Sequence, residues 1–472
     1  MSSINKVVVL LPLSGLFLFN ACKTEKVAAS QPNVLFIAVD DLRPELNCYG
    51  ASQINSPHLD QLSAQGVQFN RAYCNYASCG ASRASLLTGL RPARNRFTSF
   101  DTRKEVDAPQ AISLPKIFKE NGYHTISNGK VFHHRTDDKA AWDEVWRPEA
   151  TAQDYALEKN ILLAQREGKR GPAYENADVP DSTYKDGKIA DKGIRDLKQL
   201  KKSGAPFFLA LGFVKPHLPF NAPKKYWDLY DLNQVQLPEN FIQPEGIPKK
   251  AFHTSGELRK YEGIPPKGHF SEEMSIKLIQ AYYASVSYVD AQIGRVLMAL
   301  EALGMAQNTI VVLWGDHGYN LGDHKMFCKH STFASSLQVP LIIRAPQIQA
   351  GQKSDHIVEL IDLYPTLCEL AGIQPPEEIE GESMVALLQG KKRKKDYAIA
   401  KFGDAVAIIR DQFFYTEWTD DQGNAYERML FDHAQDPLEL NNLSEKKEYQ
   451  QVVEGLSSAL HQNWGKDFIA RD

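Results

Sequence analysis

Cysteine is sparse in this chain, with 6 among 472 residues, and no two of them form a CxxC pair. Setting Cys22 aside leaves Cys48, Cys74, Cys79, Cys328 and Cys368, an odd number, so a disulfide framework is excluded as the main source of stability. Cys74 and Cys79 stand near enough in sequence to invite a pairing. Charge of one sign is lacking as well: 54 lysines and arginines nearly balance 58 aspartates and glutamates, for a net charge of −4. Nothing at whole-chain level points to a nucleic-acid partner, although local basic clusters remain free to meet an anionic substrate. Internal repeats and low-complexity stretches are absent. A hydrophobic content of 43% is ordinary for a globular enzyme and excludes disorder, and the length suits one large α/β domain with a smaller companion.

The apolar run from Val7 to Phe19, behind Lys6, is too short to span a bilayer and reads as an export signal. It leads to Ala21-Cys22, so residues 1–22 are either a signal peptide with a lipobox, lipidated at Cys22, or an ordinary cleaved signal. Residues 23–31, opening Lys23-Thr24-Glu25-Lys26, then form a polar tether. This places the protein outside the cytoplasm, in the periplasm or as an outer-membrane lipoprotein of a Gram-negative bacterium, touching membrane only through the lipid. A large domain is expected over 32–390 and a C-terminal subdomain over 391–472, with the basic run Lys391–Lys395 as a solvated linker between them.

Within the large domain, Asn33–Val39 is a continuous apolar run of the kind a fully buried parallel strand shows, and it stops at Asp40-Asp41. Similar runs at Phe207–Leu211 and Ile310–Trp314 stop at Lys215-Pro216-His217 and at Asp316-His317. Chemistry-bearing residues at the carboxyl ends of parallel strands are the general habit of open α/β sheets. Ser113 and Pro115 open a helix that Asn121-Gly122 ends, and a strand over Tyr123–Ser127 delivers the loop Asn128–His133. A longer helix, about Ser271–Leu303, carries Ile276, Ile279, Tyr283, Val286, Val289, Ile293 and Leu297 at core spacing. Asp228–Gly268 lacks any sustained period and reads as a long surface excursion near the site. Extended runs at Tyr397–Ala400, Val406–Ile409 and Phe413–Trp418 and a helix over about Lys447–Trp464 complete the chain.

Paired aspartates at one strand end are often a helix cap or a turn. Asp316 and His317 at a second strand end change the balance, because a hard divalent cation takes oxygen ligands from separate segments. The most informative stretch is Cys79-Gly-Ala-Ser-Arg-Ala-Ser-Leu-Leu-Thr-Gly89. Cys79 precedes a short apolar helical pattern (Ala84, Leu86, Leu87), so Ser82 and Arg83 are expected to open a helix whose dipole favours an anion.

A cysteine followed four residues later by arginine, in a run of small residues, resembles the maturation signature of the sulfatase family. Further motifs resemble that family in order: Asn33–Asp41, Gly129–His133, Lys215-Pro216-His217, Asp316–Lys329, and a tail of Leu430-Phe431-Asp432, Asp436-Pro437 and Glu439–Leu443. The blocks Phe118–His133, Phe207–Phe220, Tyr282–Gly294 and Lys329–Phe333 are most similar to the iduronate-2-sulfatase subfamily. The resemblance implies an alkaline-phosphatase-like α/β sandwich, its large, mostly parallel central sheet flanked by helices, with a small C-terminal α+β subdomain built on an antiparallel sheet.

It also implies a site. Cys79 would be oxidised by a formylglycine-generating maturase, and its hydrated aldehyde would be the nucleophile. Asp40, Asp41, Cys79, Asp316 and His317 would hold Ca²⁺. Arg83, Lys130 and Lys329 would neutralise sulfate oxygens, His217 with Lys329 would protonate the departing alcohol, and His133 would take the proton that releases sulfate. Ala81 stands where proline is commoner, which fits a radical-type bacterial maturase, and Tyr319 stands where the subfamily has tryptophan at a position tied to sugar recognition. The expected substrate is a sulfated oligo- or polysaccharide, a 2-O-sulfated uronate in glycosaminoglycan or ulvan fragments. Arg91, Arg94 and Arg96 either help bind the acidic glycan or form a solvated basic loop. Two other readings stand beside this one: a phosphonate or phosphodiester hydrolase of the same superfamily, and a non-catalytic glycan-binding lipoprotein that keeps Cys79 as a thiol.

Overall fold

Strand β1, Asn33–Val39, shows why its residues are all apolar: Val34, Phe36 and Ala38 join one hydrophobic cluster, while Leu35, Ile37 and Val39 join another on the opposite face. A strand covered on both sides has no polar face to alternate with. The structure, a computed structural model, describes residues 31–148, 154–166, 170–420 and 424–464. The export segment, Cys22 and nearly all of the tether lie outside them. Among the described residues no helix is long and apolar enough to cross a membrane.

Around β1 assemble β2 (Val67–Tyr73), β3 (His124–Gly129), β4 (Glu144–Trp146), β5 (Phe207–Phe213), β6 (Thr309–Gly315), β7 (Gln338–Arg344), β8 (Gln352–Ser354) and β9 (Val358–Glu359). They make a nine-stranded sheet in the order β8-β2-β7-β6-β1-β5-β3-β4, with β9 continuing along β2. Strands β6, β1, β5, β3 and β4 are mutually parallel, and β7 runs against its neighbours β6 and β2. The mostly parallel sheet of an alkaline-phosphatase-like α/β fold is therefore present.

One face is covered by α2 (Cys79–Thr88), α3 (Leu114–Glu120) and α6 (Leu363–Ala371), through Leu86, Leu87, Phe118 and Leu367. The other is covered by α1 (Pro57–Gln65), α4 (Lys185–Ser203) and α5 (Glu272–Ala302), through Leu62, Ile189, Leu197, Val286 and Ile293. Helix α3 starts as its sequence demands, with the Ser113 hydroxyl accepting from the Lys116 amide at 3.3 Å, and Ser271 caps α5 in the same way. C-terminal strands β10 (Tyr397–Phe402), β11 (Ala405–Arg410), β12 (Phe413–Thr419) and β13 (Ala425–Asp432) form an antiparallel sheet. Its outer face carries α7, Gln450–Trp464, through Leu456, Leu460 and Trp464.

Two expectations about basic segments need correction. The run at 391–395 is solvated only in part: Lys391, Lys392 and Lys394 are exposed, but Lys395 is buried and bridges Glu359 and Asp362, and Arg393 pairs with Asp362 at 2.8 Å. Nor is Arg91 part of a solvated loop, since it is buried and paired with the same Glu359. Two carboxylates at the edge of the large sheet need these cations, because an unpaired buried charge costs several kcal/mol. Burial opposes ionisation of both acids, but Arg91 and Lys395 hold Glu359 below the usual carboxylate range, and Lys395 and Arg393 do the same for Asp362.

Lys395→Met is accordingly expected to cost about 3 kcal/mol of unfolding free energy at neutral pH. The two carboxyls have depressed pKa values in the folded chain, so their contribution is present above their unfolded values and is lost as pH falls. Denaturation series for both proteins should therefore differ most at pH 7, with the gap beginning to narrow only once pH falls below the ordinary carboxylate range and closing as it passes the depressed folded values.

Candidate active site

Four adjacent parallel strands deliver their following residues to one end of the sheet. β6 leads to Asp316 and His317, β1 to Asp40 and Asp41, β5 to Lys215 and His217, and β3 to Lys130. The ends of β3 and β5 approach unusually closely. A Cβ on Gly212 would lie 2.1 Å from the Lys130 carbonyl, and one on Gly129, whose φ is +76°, would lie 2.2 Å from the Gly212 oxygen. Glycine at both positions lets the Lys130 amide donate to the Gly212 carbonyl at 2.8 Å and aims the chain back toward β1.

Helix α2 begins at Cys79, three residues before the expected start, because the Ser82 amide already donates to the Ser78 carbonyl at 2.9 Å. Cys79 therefore sits in the first helical turn, 3% exposed, with Sγ 3.2 Å from His317 Nε2. Cys74 and Cys79 do not pair; both are free. Ligand atoms of Asp40, Asp41, Cys79 and His317 all fall within 4.8 Å of one another, and all four residues are buried. Two carboxylates, an imidazole and the residue-79 side chain converging there fit a divalent cation that prefers oxygen, the more so if residue 79 presents oxygen instead of sulfur. Asp316 lies alongside but is differently engaged: Oδ1 accepts from the amides of Asp41 at 3.1 Å and His317 at 3.0 Å, and Oδ2 accepts from Arg83 Nε at 2.9 Å.

Cations surround the acids. Lys130 pairs with Asp40, and Lys329 Nζ reaches Asp41 Oδ1 at 3.0 Å. Arg83 is fully buried, with its donors spent on Asp316, Asp40 and the carbonyls of Lys130 and Val131. That leaves it clamping the acids from beneath instead of facing a ligand.

The two histidines are in opposite environments. Burial and then Lys130 push the His133 imidazole down to about 2, which keeps it neutral. For His217, burial opposes the charge, but Asp41, Asp40 and Glu257 outweigh it and the pKa rises. Its Nδ1 lies 2.6 Å from the Leu218 carbonyl and its Nε2 lies 3.2 Å from Glu257 Oε1. The surroundings thus shift the two imidazoles in opposite directions.

Glu257 escaped the sequence reading. It comes from the 228–268 excursion, and its Oε2 also receives Lys329 Nζ at 2.8 Å. The excursion is irregular but packed, burying Tyr230, Phe241, Ile247 and Leu258, so it is a wall of the site and not a surface flourish. Tyr319, which stands where the subfamily has tryptophan, is fully buried and stacked on Tyr282 at 5.5 Å. The tail motif has a local purpose: Glu439 accepts from the Ala334 amide at 3.0 Å and so anchors the segment that follows Lys329.

The sulfatase profile matches residues 32–373. The chain belongs to the sulfatase family. As a member it is a sulfuric ester hydrolase, and a profile described as N-sulphoglucosamine sulphohydrolase, C-terminal, matches residues 322–466 of it. It is 36% identical over 382 residues to iduronate 2-sulfatase of Mus musculus, covering 73% of this chain and 69% of that protein. It is 29% identical over 470 residues to an ulvan-active sulfatase of Formosa agariphila, covering 94% and 83%. A protein solved with its substrate D-glucosamine-2-N,6-O-disulfate shares the fold at a TM-score of 0.76 and 23% identity, over 94% of this chain and all of that one. Phosphonate monoester hydrolase of Agrobacterium radiobacter shares it equally, with a TM-score of 0.76 at 23% identity over 92% and 96%.

Because the Gly212 contact is with backbone, Gly212→Ala is expected to cost about 1–3 kcal/mol and to misplace Lys130. Thermal unfolding should show the loss, and sulfate-ester turnover should fall further than the stability change alone accounts for.

Proposed function

We propose that this enzyme removes sulfate ester groups from sugars of acidic polysaccharides, with 2-O-sulfated uronate of glycosaminoglycan or ulvan fragments as the favoured class, using formylglycine at residue 79 and Ca²⁺. The observation that carries the reading is the convergence of Cys79 with Asp40, Asp41 and His317, ringed by Lys130 and Lys329. The substrate class is supported by the 36% identity to iduronate 2-sulfatase and by the ulvan-active relative.

Formylglycine, as its hydrate, supplies a nucleophilic oxygen and a second hydroxyl on the same carbon, which gives the enzyme-bound sulfate an exit that an ester on serine lacks. Asp40, Asp41, His317 and residue 79, with Asp316 alongside, would hold Ca²⁺, which would supply charge stabilisation beside the sulfate. The remaining work falls to side chains. Lys130 and Lys329 face the anionic ligand with fixed positive charge. His217 carries the proton that the departing sugar oxygen takes up as its bond to sulfur breaks. His133, kept neutral, receives the proton from the remaining hydroxyl as sulfate leaves. Arg83 acts on Asp40 and Asp316 as a positioning residue. Export, with lipid on Cys22, and maturation by a formylglycine-generating enzyme complete the proposal; Val7–Phe19 and Ala21-Cys22 support the first, Cys79–Gly89 the second.

Mass spectrometry of the peptide containing residue 79, from protein made in a host with the maturase, is expected to show the aldehyde, and an unmodified thiol in active protein would refute the proposal. Turnover should favour sulfated oligosaccharides over phosphonate and phosphate diesters; the reverse preference would establish the hydrolase reading that the shared fold with phosphonate monoester hydrolase keeps open. His217→Ala should lower kcat on a sugar sulfate by about 10²–10⁴ while sparing a nitrophenyl sulfate, whose leaving group needs little protonation. Chelation should lower the melting temperature of the wild type, added Ca²⁺ should restore it, and Asp41→Asn should blunt both responses.

A further inference from the structure

The Glu257 carboxylate bridges two cations that the proposed reaction needs for its substrate. Oε1 lies 3.2 Å from His217 Nε2, and Oε2 lies 2.8 Å from Lys329 Nζ. The stoichiometry of donors makes this consequential. Lys329 has three N–H groups and can serve Asp41, Glu257 and a ligand together, but His217, with Nδ1 committed to the Leu218 carbonyl, offers Nε2 alone, and as the imidazolium a single proton there. A leaving oxygen therefore gains that proton only by taking Glu257's place. The carboxylate is able to yield. Its side chain is 18% exposed, against 2% for Lys329, it sits at the turn that opens the short 3-10 helix Leu258–Lys260, and a Cβ on the preceding Gly256 would meet only the Thr254 hydroxyl, at 3.7 Å.

We propose that Glu257 is an internal anion that competes with the ligand for His217 and Lys329 and so eases release of the sulfate product. A free sulfate ion offers those cations only what the carboxylate already offers, so it is held weakly and leaves readily. A sulfated sugar adds contacts of its own and displaces Glu257. The residue thus raises the threshold for every anion at those cations, ester and inorganic product alike, and the product, which has no sugar contacts to offset it, leaves readily; it does so without touching sulfur. The inference rests on the sulfatase reading of the site.

Calorimetric titration of Ca²⁺-supplemented wild type and Glu257→Gln with sodium sulfate tests it without requiring turnover. The amide keeps the size and removes the charge, so Glu257→Gln should bind sulfate at least about tenfold more tightly, and its KM for a sulfated oligosaccharide should fall in parallel. Glu257→Asp, one methylene shorter, reaches one cation instead of two and should be intermediate; it also serves if the amide variant does not fold. Unchanged or weaker sulfate binding at an unchanged melting temperature would overturn the proposal, and so would a fall in kcat with KM constant, which marks a residue that only orients His217. Tighter sulfate binding by the variant in a protein that hydrolyses no ester would uphold the competitor and sink the sulfatase reading.

Discussion

Three carboxylates buried side by side are the constraint on which this molecule depends. Asp40, Asp41 and Asp316 are all fully inaccessible to solvent, and packing them together without compensation would cost far more than a domain's whole stability margin. Arg83 meets that demand most completely, with one guanidinium joining Asp40, Asp316 and two carbonyls of the Lys130 segment. The fork geometry of arginine suits a clamp; a lysine could reach only part of it. Because Arg83 lies one turn beyond Cys79 on α2, the clamp also fixes where residue 79 meets the acids. Compensation and placement are thus one interaction.

The parallel strands and the acids that follow them were legible because strands buried on both faces leave unbroken apolar runs that stop abruptly at charge, as Val39-Asp40 and Gly315-Asp316 do. Strands β2 and β7 were harder to see. VQFNRAY and QVPLIIR are broken by polar residues, and their place in the sheet is set by pairing with each other across more than two hundred residues of sequence. The start of α2 was misplaced by three residues because apolar periodicity begins at Ala84 while the hydrogen-bonded turn begins with Ser78. Glu257 carried no signal, since an acid in an aperiodic segment looks solvated until tertiary structure turns it inward. Lys395 failed for the same reason in reverse: within a run of five basic residues, nothing local marks the one whose partners lie over thirty residues upstream.

The opposite pKa shifts of His133 and His217 follow from their neighbours, since burial disfavours the charged form of both. His133 faces Lys130, whereas His217 faces Asp41, Asp40 and Glu257. A site assembled from strand ends can do this because each side chain arrives from its own strand and meets its own set of charges.

The anchoring of the Lys329 segment by Glu439 has a bearing on biosynthesis. All the strands of the large sheet are encoded before residue 360, yet the carboxylate that grips Ala334, and the Leu438 carbonyl that meets His324 at 3.1 Å, come more than 75 residues later. A nascent chain halted after the large sheet would own every acid and base of the site while leaving one wall untethered. The tether on that wall is therefore the last part of the site's surroundings to emerge from the ribosome.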